Sequence, residues 1–185
     1  MASLSEIEIL SLVCQKLESI RIPYMLTGSF ASNFYAVPRM TRDIDIVIEL
    51  QHPQIEELVT LLGNEFYISS DAIHEALEHS SMFNMIHNDS VFKIDFIIRK
   101  NVEYRKIEFQ RKRQILLHDI PIWIVAPEDL IISKLFWARD NSSTMQMNDV
   151  QNLLRSVKNL DQNYLHNWIQ KLHLNSIFER VRQHE

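Results

Sequence analysis

Behind a Ser5-Glu6-Ile7-Glu8 capping box, apolar residues recur at Ile7, Leu10, Val13, Leu17 and Ile20. That spacing predicts an amphipathic helix to about Ile20, stopped by Pro23. Tyr24-Met25-Leu26-Thr27 is a short apolar run and reads as a buried strand. Gly28-Ser29 turns it into a short helix over 30–36, broken before Pro38. A strand comes next over 44–50, then a helix over 53–62 with Pro53 in its first turn and Gly63 as its stop. The pattern continues with a strand over 66–69 and a helix over 71–79. Segments 82–87 and 91–98 flank Asn88-Asp89-Ser90 and read as a β-hairpin. Residues 101–113 look helical, and 115–117 and 122–125 are short strands around Asp119-Ile120-Pro121.

From Pro127 the character changes. Pro127-Glu128-Asp129 opens a helix through Ala138, and the chain after the Asn141-Ser142-Ser143 loop has only helical periodicity. The expected fold class is therefore α/β (α+β): a small mixed β-sheet core flanked by helices over 1–126, with a helical extension over 127–185 packed on it.

Composition narrows the classes of function. A chain of 185 residues, 46% hydrophobic and 23% charged, is an ordinary globular protein that needs no covalent staples. Its single cysteine, Cys14, lies in an apolar helical stretch, excludes an internal disulfide framework and fits a reducing compartment. Met1-Ala2-Ser3-Leu4 lacks the basic start and apolar run of a signal peptide, and no apolar stretch approaches the ~20 residues of a membrane span. The expectation is a cytoplasmic protein with no membrane partner. A net charge of −5 argues against wholesale coating of nucleic acid. Two glycines, Gly28 and Gly63, cannot build a Gly-rich phosphate loop, and the eight histidines show no zinc-ligand spacing.

The chemistry concentrates in Asp43-Ile44-Asp45-Ile46-Val47-Ile48. On a strand, Asp43 and Asp45 point to one face while the isoleucines occupy the other. Two carboxylates so close repel unless a cation sits between them, and hard oxygen donors suit Mg²⁺ or Mn²⁺. Upstream, across a spacer of thirteen residues, Gly28-Ser29 stands where strand gives way to helix. Glycine lets a phosphate approach the backbone there, and the helix start supplies amide donors and a favourable dipole. Asp95, in the apolar strand Phe92-Lys93-Ile94-Asp95-Phe96, shares a face with Lys93 and is the candidate third ligand and base. This set suits phosphoryl or nucleotidyl transfer from a nucleoside triphosphate. Taken singly, Gly28 could be a turn glycine, Ser29 a helix cap, Arg42 a partner of surface acids, Lys134 a snorkelling lysine and Asp149 a helix-start acid. Seven Lys or Arg residues in 99–113 face only Glu103 and Glu108, either a solvated helix face or a track for RNA or triphosphate. Trp123, Trp137 and Trp168 sit in apolar patterns and read as core.

Gly28-Ser29, the spacer, Asp43-x-Asp45 and Asp95 together resemble the signature of the DNA polymerase beta-type nucleotidyltransferase superfamily. Thr41-Arg42 resembles it too, and Pro127-Glu128-Asp129-Leu130, Lys134-Leu135, Arg139-Asp140 and Asp149-Val150 are similar to the helical motif of its abortive-infection, toxin-type branch. The resemblance implies Mg²⁺ (or Mn²⁺) on Asp43, Asp45 and Asp95. It also implies nucleotide contacts from Gly28, Ser29, Arg42, Lys134 and Asp149, and transfer of a nucleoside monophosphate from an NTP to a hydroxyl of tRNA, protein or a small molecule. A toxin–antitoxin setting would add an antitoxin partner. The alternative is a catalytically inactive nucleotide- or partner-binding module that retains the fold. A metal-dependent nuclease would leave the Gly28-Ser29 turn without a purpose.

Overall fold

A computed structural model describes residues 5–41, 43–90, 92–141 and 143–183. Contacts divide these into two units. The first comprises the described residues of Met1–Phe30 and Thr41–Ile124; the second comprises those of Ala31–Met40 and Val125–Glu185.

The first unit is a mixed α/β layer. In chain order it carries α1 (Glu6–Ser19), β1 (Tyr24–Thr27), the start of α2 (Gly28–Tyr35), β2 (Asp43–Ile48), a 3₁₀ turn (His52–Gln54) and α3 (Ile55–Leu62). It continues with β3 (Phe66–Tyr67), α4 (Ser70–His79), β4 (Met82–His87), β5 (Lys93–Ile98), α5 (Glu103–Gln110), β6 (Arg113–Leu117) and β7 (Ile120–Ile124). The seven strands form one sheet in the order β3-β4-β5-β2-β1-β7-β6. β2 runs parallel to β5 and β1 parallel to β7, while the remaining neighbours are antiparallel.

Strand alternation sets the register. Ile44, Ile46 and Ile48 lie directly opposite Ile94, Phe96 and Ile98, and all six are buried. Phe83 stacks on Phe96 with ring centroids 5.1 Å apart. Each such side chain contributes about 1.5–3 kcal/mol relative to exposure. A one-residue slip would turn Asp43 and Asp45 into this apolar layer, so the isoleucines also fix where the acids point. The capping box at α1 is formed, with the Glu8 carboxylate accepting from the Ser5 backbone N–H at 2.7 Å.

Several boundaries differ from the sequence expectation, for local reasons. α2 begins at Gly28 itself, and Pro53 lies in the 3₁₀ turn rather than in α3. Gly63 caps α3 with φ −62°; a Cβ there would stand 2.8 Å from the Val59 carbonyl, so close approach rather than a left-handed backbone excludes a side chain. Arg113 starts β6 instead of ending a helix. His118 and Asp119 have φ of 47° and 65°, making the two-residue turn a tight hairpin requires and placing Pro121 inside β7.

Cys14 is buried in α1, and burial pushes its thiol up to about 12. A thiol reagent at about pH 8 is expected to modify it only after denaturation, a difference that absorbance titration with and without urea would read directly.

The second unit, apart from 31–40, is helical: α6 (Pro127–Asn141), α7 (Thr144–Ser156), α8 (Gln162–Lys171) and α9 (Asn175–Gln183). α6 packs against the other three and buries Leu130, Ile131, Ile132, Leu135 and Ala138. Two buried acids at its start are used internally. The Glu128 carboxylate accepts from the Asp161 backbone N–H at 3.0 Å, and Asp129 accepts from the Tyr164 hydroxyl at 2.5 Å. Segment 31–40 joins this unit through the Tyr35 hydroxyl, which donates to the Val125 carbonyl at 2.8 Å. Trp168 is buried, but Trp123 is half-buried and Trp137 is 57% exposed, which corrects the expectation that all three are core. No helix among the described residues is long and apolar enough to cross a membrane.

Candidate functional site

The pairing of β2 with β5 assembles the acids. Asp45 lies directly opposite Asp95, and Asp43 directly opposite Lys93, so all four side chains emerge from one sheet face. One row across that face reads Thr27, Asp45, Asp95 and Asn84 on β1, β2, β5 and β4. Asp95 is buried at 5% exposure, whereas Asp43 and Asp45 are half-buried. The Thr41 hydroxyl donates to Asp43 Oδ1 at 3.0 Å and orients that carboxylate.

Gly28 completes the corner. Its φ is +66°, and a Cβ built on it would lie 1.8 Å from Asp45 Oδ2 and 2.7 Å from Asp45 Cγ. The Asp45 carboxylate thus fills the space a side chain would need, at the N-terminal end of α2, where the helix dipole favours a negative charge. No acidic residue of α2 itself occupies that first turn. Gly28→Ala is expected to destabilise the fold by about 2–4 kcal/mol, through the left-handed backbone and the collision with Asp45. A shift of the urea midpoint measures it.

Lys93 is the feature that sequence reasoning underused. Its ammonium pairs with Asp95 Oδ2 at 2.7 Å. It is held protonated above the ordinary lysine range, first by the hydrogen bond to Asp95 and further by the charges of Asp95, Asp43 and Asp45, against a desolvation effect that opposes them. The signal was present as the i, i+2 spacing of Lys93 and Asp95 on one strand.

The all-oxygen donor set, the common face and the side-chain-free corner at Gly28 fit a hard divalent cation. In this conformation, however, no three His, Cys, Asp or Glu side chains among the described residues are gathered into a metal-binding group. The Asp95 carboxylate is engaged by Lys93 instead. Two surface concavities of the first unit, about 360 and 350 Å³, are lined by other residues and include none of Asp43, Asp45 and Asp95.

In the second unit, Lys134 and Asp149 meet directly. Lys134 Nζ donates to Asp149 Oδ2 at 2.7 Å and to Gln146 Oε1 at 3.0 Å. Arg39, which the sequence reading passed over, grips the same carboxylate through Nε and Nη2, each at 3.0 Å. Burial alone would raise the Asp149 carboxyl, but the hydrogen bonds from Arg39 and Lys134, with their charges, outweigh it and hold it below the usual carboxylate range. Ser29 is half-buried in the first turn of α2. Arg42 lies outside the described residues.

The basic segment is largely occupied by its own neighbours. Arg99 pairs with Glu49 and Arg105 with Glu108, and the Lys112 ammonium stands 3.9 Å from the Phe109 ring centroid. Desolvation holds Lys112 below the ordinary lysine range. Arg99 also lies just past the C-terminal end of β5, six residues beyond Lys93, or ~20 Å along the strand.

No protein-family profile matches the sequence, and no curated protein matches it. Solved structures do. The chain is similar to the antibiotic-resistance factor ANT(2'')-Ia, at 11% identity and TM-score 0.59 over 97% of this chain and 98% of that one. It is similar to an antigenic nucleotidyltransferase-like protein from Paracoccidioides brasiliensis, at 19% identity and TM-score 0.56 over 96% and 95%. It is also similar to the lincomycin-bound lincosamide antibiotic adenylyltransferase LnuA, at 14% identity and TM-score 0.56 over 84% and 100%. At identities this low the likeness speaks for architecture, and the architecture of this chain is that of the nucleotidyltransferase fold.

Proposed function

We propose that the protein is a divalent-metal-dependent nucleotidyltransferase that moves a nucleoside monophosphate from an NTP onto a hydroxyl of a small organic molecule. The observation that carries this reading is the corner where Gly28, at φ +66°, admits the Asp45 carboxylate to the start of α2, with Asp43 and Asp95 on the same face. The triphosphate would lie near the start of α2 beside the Asp45 carboxylate, and Asp43, Asp45 and Asp95 would hold the cation. When bound, such an ion neutralises triphosphate charge and makes the α-phosphorus more electrophilic. The acceptor oxygen attacks the α-phosphorus and the bond to the β-phosphate oxygen breaks. Pyrophosphate leaves, and the hydroxyl proton passes to the Asp95 carboxylate.

The row Thr27-Asp45-Asp95-Asn84 gives this reaction a direction. In-line displacement needs entering and leaving oxygens on opposite sides of phosphorus. With the triphosphate on the Gly28 side, the acceptor comes over β5 and β4. Exposed Asn84, Met82 at 50% exposure and Tyr67 at 69% lie on that stretch of the face, where Lys93 is the one Lys or Arg of β3, β4 and β5 and is paired with Asp95. Such a surface suits a small molecule with an apolar or ring face better than a phosphate backbone. The internal pairing of Arg99, Arg105 and Lys112 points the same way. ANT(2'')-Ia, solved with adenylyl-2''-tobramycin, and lincomycin-bound LnuA are fold neighbours with small-molecule ligands.

Pyrophosphate release, measured with Mg²⁺, each of the four NTPs and panels of hydroxylated small molecules, total RNA and protein extract, tests the proposal. Release that depends on a small-molecule acceptor is expected. Release driven only by RNA or protein would overturn the acceptor class, and no release in any arm would overturn the enzyme.

A further inference from the structure

We propose that Lys93 is a positioning residue, a tethered counter-ion that competes with a divalent cation for Asp95 and so limits how many such ions the site takes before nucleotide arrives. The inference rests on the proposed metal-dependent reading of Asp43, Asp45 and Asp95, and it adds a control which that reading does not contain.

Three observations support it. Lys93 stands directly across from Asp43, one row from the Asp45–Asp95 pair, so its backbone is fixed beside all three acids. Its ammonium lies 2.7 Å from Asp95 Oδ2, and Lys93 is the sole cation paired with Asp95 among the described residues. The partners also differ in freedom: the Lys93 side chain is 43% exposed and the Asp95 side chain 7%. Asp95 is held in the sheet, while the lysine stem can swing its ammonium into solvent.

A surface ion pair between two mobile groups is worth little. Here one partner is anchored beside two further carboxylates, and the lysine offsets part of their mutual repulsion. An arriving dication therefore meets a cluster already partly neutralised. Asp43, with the Thr41 hydroxyl on Oδ1, and Asp45, set against Gly28, are the other two carboxylates the ion meets on this face. While Lys93 holds Oδ2, only Oδ1 of Asp95 is left to face an ion and the ammonium repels that ion, so Asp95 ligates fully when Lys93 lets go. The site thereby couples recruitment of its third acid to a single side-chain movement.

Mn²⁺ alone, without nucleotide, is the probe, and the signal of free Mn²⁺ in electron paramagnetic resonance counts the bound ions. The wild type is expected to take one ion, and Lys93→Met to bind Mn²⁺ about tenfold more tightly and take a second. Lys93→Arg, which keeps the cation, is expected to behave as the wild type does. The metal-free Lys93→Met protein is expected to melt below the wild type and to be restored by Mn²⁺, a rescue that a merely structural ion pair would not give. Lys93→Gln repeats the test if the methionine variant does not fold. Equal affinity and stoichiometry in wild type and Lys93→Met would overturn the role of Lys93 while leaving the acids as a metal site. Binding no better than that of Asp45→Asn in both proteins would overturn the metal reading as well.

Discussion

Replacing Asp45 with asparagine is expected to lower nucleotidyl transfer by about 10³-fold or more while leaving the protein folded. Asparagine has the outline of aspartate, so it still fits the space left by Gly28, whose absent Cβ would lie 1.8 Å from Asp45 Oδ2. The isoleucine face that fixes β2 is untouched, since Ile44, Ile46 and Ile48 point the other way. The substitution removes a full negative charge at the start of α2, and with it a hard ligand for the cation. Loss of several kcal/mol of transition-state charge stabilisation corresponds to about three decades in rate, at 1.36 kcal/mol per decade. Steady-state pyrophosphate release beside a thermal melt separates the two readouts. A variant that melts like the wild type and retains more than about a tenth of its activity would remove Asp45 from the chemistry.

Asp149→Ala is expected to destabilise the protein by about 3–5 kcal/mol, a larger stability effect than that of Gly28→Ala. Lys134 and Asp149 are 4% and 5% exposed, and Arg39 closes on the same carboxylate in a two-pronged contact. Alanine would leave two cations facing each other with nothing between them. The same cluster fixes the sign of a pH effect. Because the Asp149 carboxyl is held below its ordinary value, its contribution is complete above the unfolded value, near 3.9. That contribution is lost as pH falls through the lower folded value. Urea melts of wild type and Asp149→Asn are therefore expected to differ most near neutral pH and to converge on acidification below about pH 4. A constant gap across that range would contradict the assignment.

Much of the acid-bearing face is legible in the chain, because β-alternation is a local signal. Asp43 and Asp45 between isoleucines, and Asp95 among Phe92, Ile94 and Phe96, announce a strand with one apolar and one charged side. Gly28 is legible by rarity, although only the folded chain reveals that its missing side chain makes room for Asp45. The features that could not be read are non-local. Arg39 and Asp149 are 110 positions apart, and no periodicity connects them. Segment 31–40 groups with the helices after Val125, although it is bracketed by residues of the sheet unit. The cations of 99–113 looked available because their partners, Glu49 and the Phe109 ring among them, are supplied by folding. Lys93 was visible beside Asp95, but whether a lysine shields an acid or faces solvent depends on strand register, which one strand alone does not specify.

The most direct test of the central claim compares two labels in one reaction, ATP carrying ³²P at the α or at the γ position, with Mg²⁺ and a small hydroxylated acceptor. Nucleotidyl transfer predicts that the α label moves onto the acceptor while the γ label leaves as pyrophosphate, and that both events fail in Asp45→Asn. Label reaching the acceptor from the γ position, or the α label remaining wholly in free nucleotide while ATP is consumed, would contradict the account.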